Sequence, residues 1–265
     1  MNYLEQLPPE LNIIHYNDIP VLEISHPKVK AKISLQGAQL LSWQPAQSQQ
    51  DVLWLSEVES FNAGNAIRGG VPICYPWFGG VKSPSHGYAR IQQWALADYQ
   101  VENEQIWLAF DFQDEARLEM VLGSTCGLTF THLAQEPAQL ALHTYFNVAN
   151  IQQVSLEGLP TRCFNSLTKQ EETVTSPRKI TENVDCIYPI TQPLTATIRD
   201  LGYQRHIQVE HLNATDVVVW NPWHKPTSGM SEQGYQTMVC VETARIHHLM
   251  TQGEQVSVKI SLQQD

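Results

Sequence analysis

Two ionisable side chains sit inside apolar runs, where carrying a charge is costly. The run Leu140-Ala141-Leu142-His143-Thr144-Tyr145-Phe146-Asn147-Val148 holds a histidine. In extended geometry Ala141, His143 and Tyr145 share one face, and Leu140 and Leu142 the other. His143 is then either a satisfied core residue or an acid or base, because an imidazole titrates where enzymes work. The run Met238-Val239-Cys240-Val241-Glu242-Thr243 ends four apolar residues on a carboxylate. Such a group is expensive to desolvate without a partner. Met238, Cys240 and Glu242 would face the same way on a strand. Glu242 either emerges into solvent at the strand end or is a buried base with a raised pKa.

A third segment, Ala66-Ile67-Arg68-Gly69-Gly70-Val71-Pro72-Ile73-Cys74-Tyr75-Pro76-Trp77-Phe78-Gly79-Gly80, is apolar and aromatic yet carries two Gly pairs and two prolines. Those residues do not suit a regular central strand, so the segment reads as a rigid loop, serving either packing or a pocket. Arg68 beside Gly69-Gly70 favours an anion site, since glycine lets backbone approach and guanidinium grips phosphate in a fork. Lys82, Ser85, His86 and Arg90 follow closely, either a solvated loop or a local basic pocket in an otherwise acidic chain. Polar-aromatic stretches at Val219-Trp220-Asn221-Pro222-Trp223 and Thr181 to Tyr188 suit sugars, which offer C–H faces for stacking and hydroxyls for hydrogen bonds.

The elements that must position these residues read as β-strands. Period-two alternation marks Val29 to Leu35, Ile106 to Phe112 and Val256 to Leu262, each half-buried. Further strands are expected at Val21–Ser25, Leu118–Leu122, Leu128–His132, Gln139–His143, Thr195–Arg199, Ile207–Glu210 and Val217–Trp220, separated by Gly, Pro, Asn and Asp. No long amphipathic helix intervenes, so an antiparallel sandwich or barrel is expected over a parallel α/β sheet. Gln44 to Gln50 reads as a surface loop between strands, and no linker or repeat divides residues 1–265, which are expected to form one domain.

Composition narrows the function. The 265 residues carry 27 Asp+Glu against 16 Lys+Arg, a formal charge of −11. That excess repels phosphate backbones and anionic lipid, so neither nucleic acid nor membrane is an expected partner. Hydrophobic residues at 42% with only 16% charged exclude disorder by charge excess. No apolar run approaches a membrane helix, and Met1 to Gln6 lacks the basic and apolar regions of a secretory signal. The five cysteines are scattered without a C-x-x-C pair, and the ten histidines without H-x-H or H-x-x-x-H spacing. A reduced, cytoplasmic protein with no metal is expected.

Arg68-Gly69-Gly70-Val71-Pro72, Pro76-Trp77-Phe78-Gly79, His86-Gly87-Tyr88-Ala89-Arg90, His143-Thr144-Tyr145-Phe146, Asp185 with Tyr188, Trp220-Asn221-Pro222-Trp223 and Val239-Cys240-Val241-Glu242 occur in this order. Together they resemble the D-hexose-6-phosphate mutarotases, or glucose-6-phosphate 1-epimerases, of the aldose 1-epimerase superfamily. The resemblance implies an all-β, galactose-mutarotase-like antiparallel β-supersandwich. It further implies His143 as general acid and Glu242 as general base. It makes Arg68 and Arg90 phosphate or substrate contacts, and His86 and Asp185 holders of sugar hydroxyls. Ser85 stands where the family often has Gln and is carried as a substrate contact; the segment from His224 to Tyr235 is shorter and poorer in acids than usual.

The implied reaction is interconversion of the α and β anomers of a hexose 6-phosphate through ring opening and reclosure. It needs one acid and one base, and no cofactor. The expected partner is a small hexose phosphate, and the chain is expected to act as a monomer. Two other functions fit a similar pocket: a sugar-phosphate sensor without catalysis, which would not need both His143 and Glu242, and a mutarotase of neutral hexoses, which would not need both arginines.

Overall fold

Residues whose side chains alternate between apolar and polar can bury one face of a strand and wet the other, and here they do so almost throughout. The computed structural model describes residues 7–264. Met1 to Gln6, where the absence of a secretory signal was read, lie outside the described residues. Strands dominate, and every ladder between named strands is antiparallel. They form sheets of four, eight and nine strands, the expected supersandwich.

The nine-stranded sheet is built largely from the segments with the cleanest alternation. Its middle runs Leu194–Asp200, Arg205–Leu212, Gln255–Gln264, Thr125–His132, Ala116–Gly123 and Gln105–Phe112. The eight-stranded sheet holds, in order, Arg162–Asn165, Val184–Pro189, Asp216–Asn221, Met238–Met250, Ala138–Leu142 and Ile73–Cys74, with Gln170–Thr173 at its edge. The short strand Tyr145–Asn147 also pairs with Met238–Met250.

Alternation sorts the eight-stranded sheet into two faces. Leu140, Leu142, Cys186, Tyr188, Val217, Val219, Val239 and Val241 join one continuous core that also takes in Leu22 and Ile33 of the four-stranded sheet and Phe110, Met120, Phe130 and Val258 of the nine-stranded one. Their neighbours in sequence therefore point the other way: Ala141, Asp185, Val218, Trp220, Cys240 and Glu242. On that face, ladder register sets Asp185 opposite Trp220, Trp220 opposite Cys240, and Cys240 opposite Tyr145. The four side chains form a row across four strands.

Three expectations change. The strand expected to reach His143 ends at Leu142, where Thr144 N–H donates back to the Leu142 carbonyl (2.9 Å), and the chain re-enters the sheet at Tyr145. The segment from Ala66 to Gly80 is not purely loop: Ile73–Cys74 pairs with Ala141 and Leu142 as the last strand of the sheet. Its prolines still bind the sheet, because Pro72 and Pro76 lack N–H groups but keep carbonyls, which accept from His143 and Gln139. Gln44 and Pro45 belong to the strand Gln39–Pro45, so the loop is shorter than expected.

Candidate active site

Glu242 does not emerge at a strand end. It lies in the interior of Met238–Met250 and is 1% exposed. His143, 7% exposed, sits in the break between Leu142 and Tyr145, its N–H held by the Pro72 carbonyl at 2.9 Å. The two side chains meet, His143 Nε2 to Glu242 Oε1 at 3.4 Å. The His143 ring stacks on Tyr145 (4.9 Å between centroids, 17° between planes) and takes the edges of Trp220 at 6.0 Å and His86 at 5.8 Å. Aromatic walls on three sides fix the imidazole plane.

Burial dominates the electrostatics. It pushes the Glu242 carboxyl well above the ordinary carboxylate range, helped by the charge of Asp185 and opposed by Arg90. It pulls the His143 imidazole well below its ordinary value, assisted by His86, Arg90 and Arg68. Both shifts favour neutral groups, so the pair holds a single proton between Nε2 and Oε1. Moving that proton along the contact gives the ion-pair form with an acid on one side and a base on the other.

The arginines flank this pair. Arg68 donates from Nη1 to the Tyr145 hydroxyl (2.8 Å) and from Nε to the Ser228 carbonyl (3.0 Å), while its own N–H is held by Glu59. Arg90, in a 3-10 turn over Ala89–Ile91, donates from Nη2 to the Ser85 carbonyl at 2.8 Å. His86 is held by backbone contacts across its loop, its N–H donating to the Gly79 carbonyl at 2.7 Å. Desolvation first, then Arg90 and Arg68, lower its pKa to about 4, so it meets a ligand as a neutral ring.

Glycine sets two close approaches. Gly70 has φ of +61°, and a Cβ there would lie 2.1 Å from the Leu40 carbonyl oxygen. Gly87 has φ of +76°, and a Cβ would lie 2.0 Å from the Tyr75 carbonyl oxygen. No other residue combines that dihedral with that space, so both arginine-bearing segments depend on glycine to reach the pocket.

Of the residues read from sequence, the structure brings His143, Glu242, His86, Arg68, Arg90 and Asp185 into one electrostatic neighbourhood. Asp185 is partly buried and has its pKa raised, chiefly by burial. Ser85 is exposed and turns its hydroxyl to the Gly79 carbonyl at 3.2 Å. Lys82 lies outside with its ammonium 5.5 Å above the Trp77 ring. Three buried polar atoms without a hydrogen-bond partner collect here: Arg90 Nε, His143 Nδ1 and Glu242 Oε2. Buried polar atoms are normally paired, so their concentration marks a place for a polar ligand.

Tyr145 and Trp54 were missed as site residues. Tyr145 links Arg68 to His143, and Trp54 stacks behind it at 5.8 Å. Tyr145 was legible as sharing a face with His143; nothing in linear spacing flags Trp54. Spacing also hides a convergence of donors: atoms of His143, Cys240 and Glu242 lie within 4.8 Å of one another, because the sheet joins residues about a hundred positions apart.

A family model described as aldose 1-epimerase matches residues 20–263. A curated protein of Haemophilus influenzae named "Putative glucose-6-phosphate 1-epimerase" is 54% identical, with 98% of this chain and 97% of that one covered. The crystal structure of a Salmonella typhimurium protein titled "putative mutarotase (YeaD)" superposes with a TM-score of 0.93 at 32% identity, covering 98% and 96% of the two chains. A galactose 1-epimerase from Lactobacillus acidophilus shares the fold alone, with a TM-score of 0.73 at 11% identity over 96% of this chain and 98% of that one.

Proposed function

The chain belongs to the aldose 1-epimerase family, and from that premise we propose that it interconverts the α and β anomers of a D-hexose 6-phosphate, glucose 6-phosphate foremost. The observation that carries the reading is the buried contact between His143 Nε2 and Glu242 Oε1 at 3.4 Å, flanked by two guanidinium groups in a chain of net charge −11. The names of the relatives support the same reaction class and the phosphorylated substrate.

In the ion-pair form of the pair, Glu242 removes the proton of the C1 hydroxyl while His143 protonates the ring oxygen. The C1–ring oxygen bond breaks and the sugar opens to the aldehyde. Rotation about C1–C2 presents the other carbonyl face; the two residues then exchange roles, and the ring closes to the opposite anomer. No net proton is gained or lost, so the site is ready for the next turnover. Each positioned proton transfer contributes roughly 10²–10⁴-fold.

Arg68 and Arg90 grip the phosphate and hold the ring so that C1 stays over the acid–base pair. The phosphate does more than anchor. The same two guanidinium charges depress His143, so a bound phosphate that offsets them moves the shared proton toward His143 and favours the reactive form. His86 and Asp185 hold sugar hydroxyls, and Trp220 offers an apolar face to the ring. Ser85 contacts substrate only from the pocket rim.

The whole chain acts as one domain and as a monomer, in the cytoplasm. A main core cluster drawing on all three sheets, a site built within one chain, and five free buried cysteines support that reading. Anomer exchange in glucose 6-phosphate, followed by NMR, tests the function. Wild type should accelerate exchange strongly for glucose 6-phosphate and weakly for glucose, and His143→Ala and Glu242→Ala should both abolish it. Specific binding of glucose 6-phosphate without acceleration would instead make the chain a sensor.

A further inference from the structure

Cys240 is the polar side chain on the pocket face that proton transfer leaves without a task. It lies two residues from Glu242 on the same face of Met238–Met250 and opposite Tyr145 in the ladder. Its sulfur, a ring nitrogen of His143 and a carboxylate oxygen of Glu242 all lie within 4.8 Å of one another, and all three residues are buried. Among the described residues no other set of three His, Cys, Asp or Glu side chains converges in this way. A second observation points to a ligand: Glu242 Oε2 is buried without a hydrogen-bond partner.

We infer that this pocket binds a borderline-soft divalent cation of the Zn²⁺ class through His143, Cys240 Sγ and Glu242, and that the cation and the sugar exclude each other. The binding half stands on donor geometry alone; the exclusion half rests on the catalytic reading above.

The donor set selects the metal. Thiolate and imidazole favour Zn²⁺ or Co²⁺ over Mg²⁺ and Ca²⁺, which prefer oxygen ligands throughout. Tetrahedral Zn²⁺ with bonds of about 2.0–2.3 Å sets neighbouring donors roughly 3.3–3.8 Å apart. The His143–Glu242 contact of 3.4 Å already matches, and the widest donor separation needs to close by only about an ångström for the cation to be tetrahedral. Three protein donors leave the fourth position open to water, as in exchangeable zinc sites.

Charge is also compatible. On binding, the Cys240 thiol proton and the proton shared by His143 and Glu242 leave to solvent. A divalent cation then meets one thiolate and one carboxylate, a neutral set, with Asp185 partly offsetting Arg68 and Arg90. The sugar is shut out because Nε2 and the carboxylate, which should carry its protons, are bound to the cation.

Co²⁺ titrated into the full reduced chain tests this. Wild type should develop a near-ultraviolet thiolate-to-cobalt charge-transfer band saturating at one equivalent. Zn²⁺ should bleach the band by displacement, and glucose 6-phosphate should suppress it. In Cys240→Ser and Cys240→Ala the band should vanish and Zn²⁺ affinity fall by roughly 10–100-fold or more. A band surviving in both variants, coming then from Cys74 or another cysteine, or no band in wild type, overturns the inference. Should neither variant fold, His143→Ala takes their place: loss of the band supports the site, and a wild-type band refutes it. A normal band in a wild type that accelerates no anomer exchange would sink the proposed function and leave the metal site standing.

Discussion

Replacing Glu242 by Gln should disable the protein and stabilise it at the same time. Glu242 is 1% exposed, faces a histidine that burial keeps neutral, and leaves Oε2 without a partner. Its folded pKa is raised well above 4.5, chiefly by burial. The sign follows from linkage. Below the ordinary carboxylate pKa both folded and unfolded chains hold the proton, and Glu costs nothing extra. As pH rises above it, the unfolded chain ionises and the folded one does not, so wild-type stability falls by about 1.4 kcal/mol per pH unit until the folded pKa is reached. Gln does not titrate. The stability difference between Glu242→Gln and wild type should therefore widen in favour of Gln by about 1.4 kcal/mol for each unit between pH 5 and the folded pKa, then flatten. Anomer exchange should drop by roughly 10²–10⁴-fold. Urea unfolding at half-unit pH steps reads the first effect and NMR exchange the second. A difference that stays constant with pH, or a Gln variant that retains wild-type exchange, would refute the argument that Glu242 is a buried base.

Enzymatic exchange, corrected for the spontaneous rate and for the substrate phosphate's own titration at about pH 6, should hold its neutral-pH level at pH 6. The one-proton pair is lost on the acid side only when His143 gains a proton, and burial puts that event well below 6.5; an acid limb centred at or above 6.5 in the pH profile of kcat/KM would contradict this. Arg68→Met removes the contacts to Tyr145 and Ser228 together with the charged grip on phosphate proposed for Arg68, worth about 1.5–3 kcal/mol. KM for glucose 6-phosphate should rise roughly 10–150-fold, with glucose turnover little changed; equal losses on both substrates would show that Arg68 is structural. Gly87→Ala forces a Cβ to within 2.0 Å of the Tyr75 carbonyl, so the loop bearing His86 and Arg90 must shift. The thermal midpoint and kcat/KM should fall together, and an unperturbed variant would refute the close approach.

Much of this was legible in the sequence because a half-buried strand advertises itself by alternation. Ile106 to Phe112, Leu118 to Leu122 and Val256 to Leu262 each fall within an observed strand with the expected face in the core. Strands without clean alternation were not seen. Leu11–Tyr16 has two adjacent isoleucines, and Ile73–Cys74 is flanked by prolines that hide its pairing. Met238–Met250 runs well past its apolar start because Arg245 pairs with Leu140 and Met250 with Ala138, while Ile246 to Leu249 bulge out of register between them. At the site, residue types and one shared face nominated His143 and Glu242. Choosing between a solvent-facing and a buried Glu242 needed the strand to continue past it, which composition does not reveal. Proximity of His143 to Cys240 and of Arg68 to Tyr145 depends on register between distant segments, which a single chain does not display.

The strand Met238–Met250 turns Met238, Cys240 and Glu242 to the face of Tyr145 and His143 and lends Val239 and Val241 to the core. The proposed acid–base chemistry thus has no scaffold of its own. Any repacking behind the sheet reaches Glu242 through one shared backbone, so the fold and the proposed chemistry answer to the same valines. The segments bearing Arg68 and His86 are tied as closely, because Gly70 and Gly87 leave no room for a Cβ against Leu40 and Tyr75.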